Sequence, residues 1–420
     1  MQATQARIDP GVEQLRRVLE VGDAQRDAPD AVFIEAMRER YPTEREFDAM
    51  LTRKQQRRSM PRAGTLSLAD FAACIDRFLR VHVEGGFEVR QLRWMSGGGS
   101  KIQLAFVLHW TDPALGAATE TPMVIRMEPQ ESLSATSRRR ESQLLGAFAG
   151  TLPVPRVYWV DAEGEWFPEP SLIYAFAKGV TKPSAVEGRV GGVGSDFGAR
   201  LRPILGRQFV EHLATIHTFD FRGRDLSAFD IPAVGSTETA LWQLNRARRI
   251  WEEDRGEELP FMEVAANWLA RHPPTLDHAS ILHGDYRAGN FLFDEPSGKI
   301  TAWLDWERGY VGDRHRDLAW ITLPLFGHYA EDGKTFLVSG LVPLADFYAG
   351  YERASGLKVD ADKLRYYRIL NGYQLIASSL GTAYRVARLG RSHQDVLLTW
   401  IEGIVYTIAE DMRRALAEVH

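Results

Sequence analysis

ILHGDYRAGNFLFDEPSGKITAWLDWERGYVGD (281–313) is the stretch whose reading decides the fold. NFLF and ITAWL are apolar runs rich in β-forming residues, and DEPSGK between them gathers Asp294, Pro296, Ser297 and Gly298. Two such runs around a glycine-containing turn predict an antiparallel hairpin. Asn290 enters the first strand and Asp305 leaves the second, so pairing puts both at the same end of the ribbon. Asp285 lies in a loop bracketed by Gly284 and Gly289, and that loop can fold back over the same end. Two carboxylates and a carboxamide are therefore expected together. Hard oxygen ligands of this kind suit Mg²⁺, which takes one or two carboxylates and leaves its other positions to water and phosphate. Taken singly, each of these residues reads better as a turn former or a cap.

The rest of the sequence narrows the class. At 420 residues the chain can hold two or three domains and a large core. A net charge of −5 gives no electrostatic reason to expect nucleic acid or an anionic membrane as partner. A single cysteine, Cys74, rules out an intrachain disulfide and fits a reducing cytosol. It sits in the apolar helical pattern LADFAACIDRFLRVH, as a buried structural thiol would. The polar N-terminus lacks a signal-peptide core, and no apolar run approaches membrane-spanning length. A cytoplasmic protein is expected. A metal hydrolase is disfavoured, since neither H-E-x-x-H nor C-x-x-C occurs.

Three regions follow from the patterning. Residues 1–85 read as a helical N-terminal extension: GVEQLRRVLEV, AVFIEAMRERY, TEREFDAMLTRKQQRR and SLADFAACIDRFLRVH, the last with Ser67 and Asp70 placed as a capping pair. The basic run Arg53, Lys54, Arg57 and Arg58 reads as a solvated helix face rather than a phosphate site. Packing, or self-association as a homodimer, are the roles open to this region. Residues 86–177 carry five strand-like runs, FEVRQLRW, IQLAFVLHW, PMVIRME, RVYWV and SLIYAF, with one helix, SRRRESQLLGAFAG, after the third. Residues 178–420 are mostly helical apart from the hairpin. GRVGGVGSDFGAR (188–200) does not sit between a strand and a dinucleotide-binding helix, so it reads as a loop.

HGDYRAGN, the hairpin, LDWE and then GDRHRDLAW together resemble the catalytic core of the aminoglycoside phosphotransferase family, a branch of the protein-kinase-like fold. The resemblance implies an α+β, bilobal architecture, with residues 86–177 as a small nucleotide-binding lobe and residues 178–420 as a catalytic and substrate lobe. It implies ATP, with GTP as an alternative, as donor and Mg²⁺ as cofactor. By it, Asp285 orients or accepts the proton of the attacking hydroxyl, and Arg287 stands where protein kinases carry a catalytic-loop lysine. Asn290 and Asp305 would hold the metal. Gly97, Gly98, Gly99 and Ser100 would cradle phosphates in a turn between two strands. Arg126 stands in place of the phosphate-pairing lysine, with Glu141 as its partner and Arg138 to Arg140 as competing charges. Tyr174, Phe176 and Ala177 fall in the hinge, whose backbone would meet the adenine. His283 and His217 are expected to brace structure, and Asp313 and Asp317, on one face of a helix, to support the site.

Trp306-Glu307 follows Asp305 where protein kinases have Phe-Gly, and GDRHRD follows at once. That leaves no room for a phosphorylatable activation loop, so a small-molecule kinase is expected. LWQLNRARRIWEEDRGEELPFMEVAANWLARHPP (241–274) is mixed in charge and carries Trp242, Trp251 and Trp268, which equally read as core. It most resembles the kinase-like branch associated with acyl-CoA dehydrogenases. A hydroxyacyl-CoA or another apolar alcohol is the first expectation for the acceptor, a macrolide the second and an aminoglycoside the third. A nucleotide-binding pseudokinase with a regulatory role is the alternative from another class.

Overall fold

The structure, a computed structural model, describes residues 22–61, 64, 66–95, 101–184, 195–390 and 395–419. Among the described residues four helices come first: α1 (Asp23–Asp27), α2 (Ala31–Arg40), α3 (Arg45–Arg58) and α4 (Leu68–His82). The capping pair forms as expected, with Asp70 N–H donating to Ser67 Oγ at 3.2 Å and Ser67 N–H to Asp70 Oδ2 at 2.8 Å. Phe71, Ile75, Phe78 and Leu79 form one buried stripe of α4. That stripe packs on Leu104, Phe106, Leu108 and Ile125 of the small-lobe sheet, with Cys74 half-buried beside it.

The sheet contains β1 (Glu88–Trp94), β2 (Ile102–Asp112), β3 (Ala117–Met127), β4 (Val157–Asp161) and β5 (Ser171–Ala175). Their spatial order is β1-β2-β3-β5-β4, antiparallel throughout. Helix α5 (Arg138–Phe148) follows β3, which matches the element order read from the sequence.

The large lobe is built from α6 (Gly198–His217), α7 (Glu238–Asp254), α8 (Pro260–Arg271), a short helix α9 (His315–Ile321), α10 (Leu344–Ser355), α11 (Ala361–Ile376), α12 (Tyr384–Leu389) and α13 (Asp395–Ala417). A π-helical segment, Ala377–Ala383, joins α11 to α12. Two strand pairs lie within this lobe: β6 (Ala279–Leu282) with β9 (Tyr310–Asp313), and the hairpin β7 (Phe291–Asp294) with β8 (Lys299–Trp303). Phe209 and Tyr286 pack against Phe291 and Trp303 of the hairpin, with Tyr286 stacked on Trp303 at 4.1 Å. No helix among the described residues is long and apolar enough to cross a membrane.

Helix α3 departs from expectation. Its basic run is not a solvated face, because Lys54 and Arg58 are buried. Lys54 Nζ lies 2.6 Å from Asp254 Oδ2, and Arg58 pairs with both Asp254 (2.8 Å) and Glu131 (3.3 Å). Gln55 donates to Glu253 and Arg249 to Asp48, so α3 is bound along α7 by buried polar contacts. Glu131 lies between β3 and α5. Through Arg58, α3 therefore spans from the large lobe to the small one.

Candidate active site

The hairpin does what its sequence predicts. Phe291 pairs with Trp303, and Leu304 N–H donates to Asn290 O at 2.8 Å, which extends the ladder by one residue. Asn290 and Asp305 are thereby brought to one end. Asp305 adopts the left-handed conformation (φ 61°, ψ 44°). For most L-residues that conformation costs about 1–2 kcal/mol, and Asp and Asn tolerate it best. Non-glycine residues held there cluster at functional sites.

The loop carrying Asp285 is held from below. Asp317, fully buried, accepts from His283 N–H at 2.8 Å and from Gly284 N–H at 3.1 Å. Arg316 Nη1 donates to Gly284 O at 2.6 Å. Gly284 has φ +82°, and an added Cβ would lie 2.3 Å from Arg308 O, so only glycine fits. His283 Nε2 donates to Leu304 O, and its Nδ1 accepts from Asp285 N–H. Burial holds His283 below its ordinary pKa, consistent with this neutral tautomer and a bracing role. His217 also braces, between Tyr351 and Asp317.

Asp285 itself is oriented by three donors. Its Oδ1 accepts from Trp320 Nε1 at 2.9 Å and from Arg287 Nε at 3.3 Å, and its Oδ2 from Asn290 Nδ2 at 2.9 Å. The contact from Trp320 was not foreseen, because a tryptophan in DLAW reads as core. Asp313 is corrected. It ends strand β9 rather than sharing a helix face with Asp317, and accepts from His315 N–H and Nδ1. Asp277, Asp313 and His315 lie close enough to suggest a metal site, but Arg314 and Lys363 already neutralise the two carboxylates.

Arg126 is buried and meets Glu141 at 3.1 Å, as expected, but also Asp305 at 2.5 Å and Glu307 at 2.8 Å. Glu141 is shared with Arg138, and Arg138 reaches Glu307 at 3.2 Å. Lys101, overlooked in the sequence, is buried 3.2 Å from Glu128 and 3.6 Å from Glu307. Burial alone would raise Glu307. The fields of Arg126, Lys101 and Arg138 overcome it and hold the carboxyl at about 2, against an ordinary 4.5. A depressed carboxylate stabilises the fold above its unfolded pKa and loses that contribution as pH falls through the folded one. Stability should therefore drop between pH 4.5 and about 2, and Glu307→Gln should lose less across that window. Equal acid sensitivity of the two proteins in a fluorescence titration would contradict the network.

Asp285, Arg287, Asn290, Asp305, Arg126 and Tyr174 all line one cavity of about 770 Å³. Oxygen donors from Asn290 and Asp305 at this mouth suit a hard cation, and Arg126 beside them suits a polyphosphate. Hinge residue Phe176 donates its N–H to Pro122 O, and Ala175 donates to Arg156 O, so an adenine there must use other groups of the segment. Gly97, Gly98, Gly99 and Ser100 lie outside the described residues. The opposite wall was missed altogether. Phe47, Met50, Leu51 and Lys54 of α3 face this cavity. Their a-to-d spacing marked a helix face but gave no sign of what it covers.

The model of the phosphotransferase enzyme family matches residues 111–367, more than half of the chain. The chain belongs to that family. As a phosphotransferase with a kinase-like fold, it is similar to acyl-CoA dehydrogenase family member 11 of Gallus gallus, 26% identical over 185 residues. It is also similar to family member 10 of Mus musculus, 25% identical over 213 residues. These matches take in 42% and 49% of this chain but only 23% and 18% of the relatives, so the phosphotransferase spans less than a quarter of their length. A crystal structure from Ralstonia eutropha JMP134, described as a candidate aminoglycoside phosphotransferase, superposes with a TM-score of 0.60 at 21% identity. It covers 83% of this chain and 98% of its own. That likeness establishes the bilobal α+β fold.

Proposed function

We propose that this phosphotransferase moves the γ-phosphate of ATP, in the presence of Mg²⁺, to a hydroxyl of a small molecule. A hydroxyacyl-CoA or another apolar alcohol is the acceptor class the reading favours. The observation that supports it best is the convergence of Asp285, Asn290, Asp305 and Arg126 on one cavity. Phosphoryl transfer asks for positioning and charge neutralisation more than covalent chemistry. Asp285, pinned by Trp320, Asn290 and Arg287, orients the acceptor hydroxyl and takes its proton. Arg287 adds positive charge beside the reacting groups. Asn290 and Asp305 would hold Mg²⁺, which when bound would neutralise charge on the polyphosphate. Arg126 divides its charge among Asp305, Glu141 and Glu307, and so sets the position of Asp305.

Asp305→Ala tests this reading. It should weaken Mg²⁺-dependent ATP binding by at least tenfold in calorimetry while leaving metal-free binding little changed. An unaltered Mg²⁺ dependence would remove Asp305 from the metal site. Nucleotide binding by the wild-type protein without transfer to any acceptor would favour a pseudokinase instead.

A further inference from the structure

Two arginines that line the cavity, Arg246 and Arg308, have no carboxylate within ion-pair distance among the described residues. Arg308, Arg316 and Arg140 all lie close enough to Arg246 to repel it. Arg140 pairs with Glu44 at 3.0 Å, and Arg316 donates to Gly284 O and Gln374 Oε1. Arg246 and Arg308 make no hydrogen bond or ion pair among the described residues. The Nε of each is buried without a partner. Arg246 is only 4% exposed and lies over the ring of Phe47 at 3.6 Å. Arg308 lies over Trp320 at 4.7 Å, the same ring whose Nε1 donates to Asp285. Both line the cavity that contains Asp285.

A buried charge without a partner is costly, and proteins pair such groups or give them a ligand. Arginine in particular presents a planar fork that matches carboxylate and phosphate. Burial, followed by the repulsion of Arg308, Arg316 and Arg140, holds Arg246 well below its ordinary pKa. Burial and Arg316 push Arg308 down to about 10, against the opposing pull of Asp285 and Glu307. The field at this spot is one that an anion would relieve. The same cavity is also lined by apolar side chains, Met50, Leu51, Ile250, Leu375 and Ile401 among them.

We infer that Arg246 and Arg308 form an anion subsite for the acceptor. The acceptor is thus an amphipathic hydroxylated molecule whose carboxylate or phosphate is held there while its hydroxyl meets Asp285. This inference rests on the kinase reading above and narrows its substrate class. It disfavours polycationic acceptors, which would meet like charge at the wall.

The test uses the full chain with ADP and Mg²⁺ bound, so that no turnover is needed. Three probes are titrated by calorimetry: a medium-chain 3-hydroxyacid, its neutral amide and its coenzyme A thioester. An anionic probe should bind at least tenfold more tightly than the amide, and Arg246→Met or Arg308→Met should each abolish the difference. A preference for the free acid identifies a carboxylate as the anion, whereas a preference confined to the thioester identifies a phosphate. The dissociation constant for Mg·ATP should stay within twofold. Arg246→Met should also melt no lower than wild type, because it removes a buried unpaired charge. Equal binding of amide and anions, failure of all three probes, or a change in ATP affinity in place of acceptor affinity would each overturn the subsite. A marked fall in melting temperature for Arg246→Met would make that arginine structural. Retained Mg·ATP binding in those cases leaves the kinase reading standing, whereas its absence in the wild type overturns the kinase reading itself.

Discussion

Asp285→Ala should lower phosphoryl transfer about a thousandfold, within the range that a positioned acid–base group contributes. The nucleotide should still bind, because Asn290, Asp305 and Arg126 remain in the cavity. The fold should also survive. The loop is anchored by Asp317 on the amides of His283 and Gly284 and by Arg316 on Gly284 O, none of which depends on the Asp285 side chain. The change leaves Trp320 Nε1, Arg287 Nε and Asn290 Nδ2 one acceptor short each, which is a local cost at the cavity wall. Steady-state kinetics with ATP and a productive acceptor provide the check. A variant that keeps wild-type kcat would show that the proton leaves by another route, and that Asp285 only shapes the loop.

Asp254→Ala should have the largest effect on stability. Asp254 is fully buried and receives Lys54, Arg58 and the hydroxyl of Thr382. Burial would raise its pKa, but the two cations hold it far below the carboxylate range. Removing one partner of a buried ion pair leaves an uncompensated charge and costs about 3–5 kcal/mol. Denaturant unfolding should show that loss. It should also be accompanied by weaker acceptor binding, because α3 forms a wall of the cavity through Phe47, Met50 and Leu51. A loss below about 1 kcal/mol, the level of an exposed pair, would mean that α3 is held by its apolar contacts alone.

What the sequence disclosed and what it concealed divide along one physical line. Strand alternation, turn residues and capping pairs are local, and they predicted the hairpin, the five-stranded sheet with its helix after the third strand, and the Ser67–Asp70 cap. The proximity of Asn290 and Asp305 follows from hairpin geometry, and the structure has it. Partners far apart in the chain carry no local trace. Lys54 and Asp254 are 200 residues apart, and nothing near Lys54 marks it as buried. Lys101 and Glu128 face each other across the β2–β3 pairing, but Glu307 reaches Lys101 only when the two lobes meet. Trp320 illustrates the same limit at the site itself, since its ring belongs to the core while its indole nitrogen reaches Asp285. Asp313 was misplaced for a different reason. Helix α9 begins only at His315, so a four-residue spacing that suggests one helix face instead straddles a strand end.

The most direct test of the central claim is the mass-verified transfer of phosphate from ATP to an acceptor. Purified protein with Mg·ATP is offered hydroxyacids, hydroxyacyl-CoA thioesters, macrolides and aminoglycosides, and ADP release is measured alongside product mass. Mg²⁺-dependent release stimulated by an anionic hydroxylated acceptor is expected, with one phosphate added to it and this activity about a thousandfold lower in Asp285→Ala. A wild-type protein that adds phosphate to none of these acceptors would contradict the kinase reading.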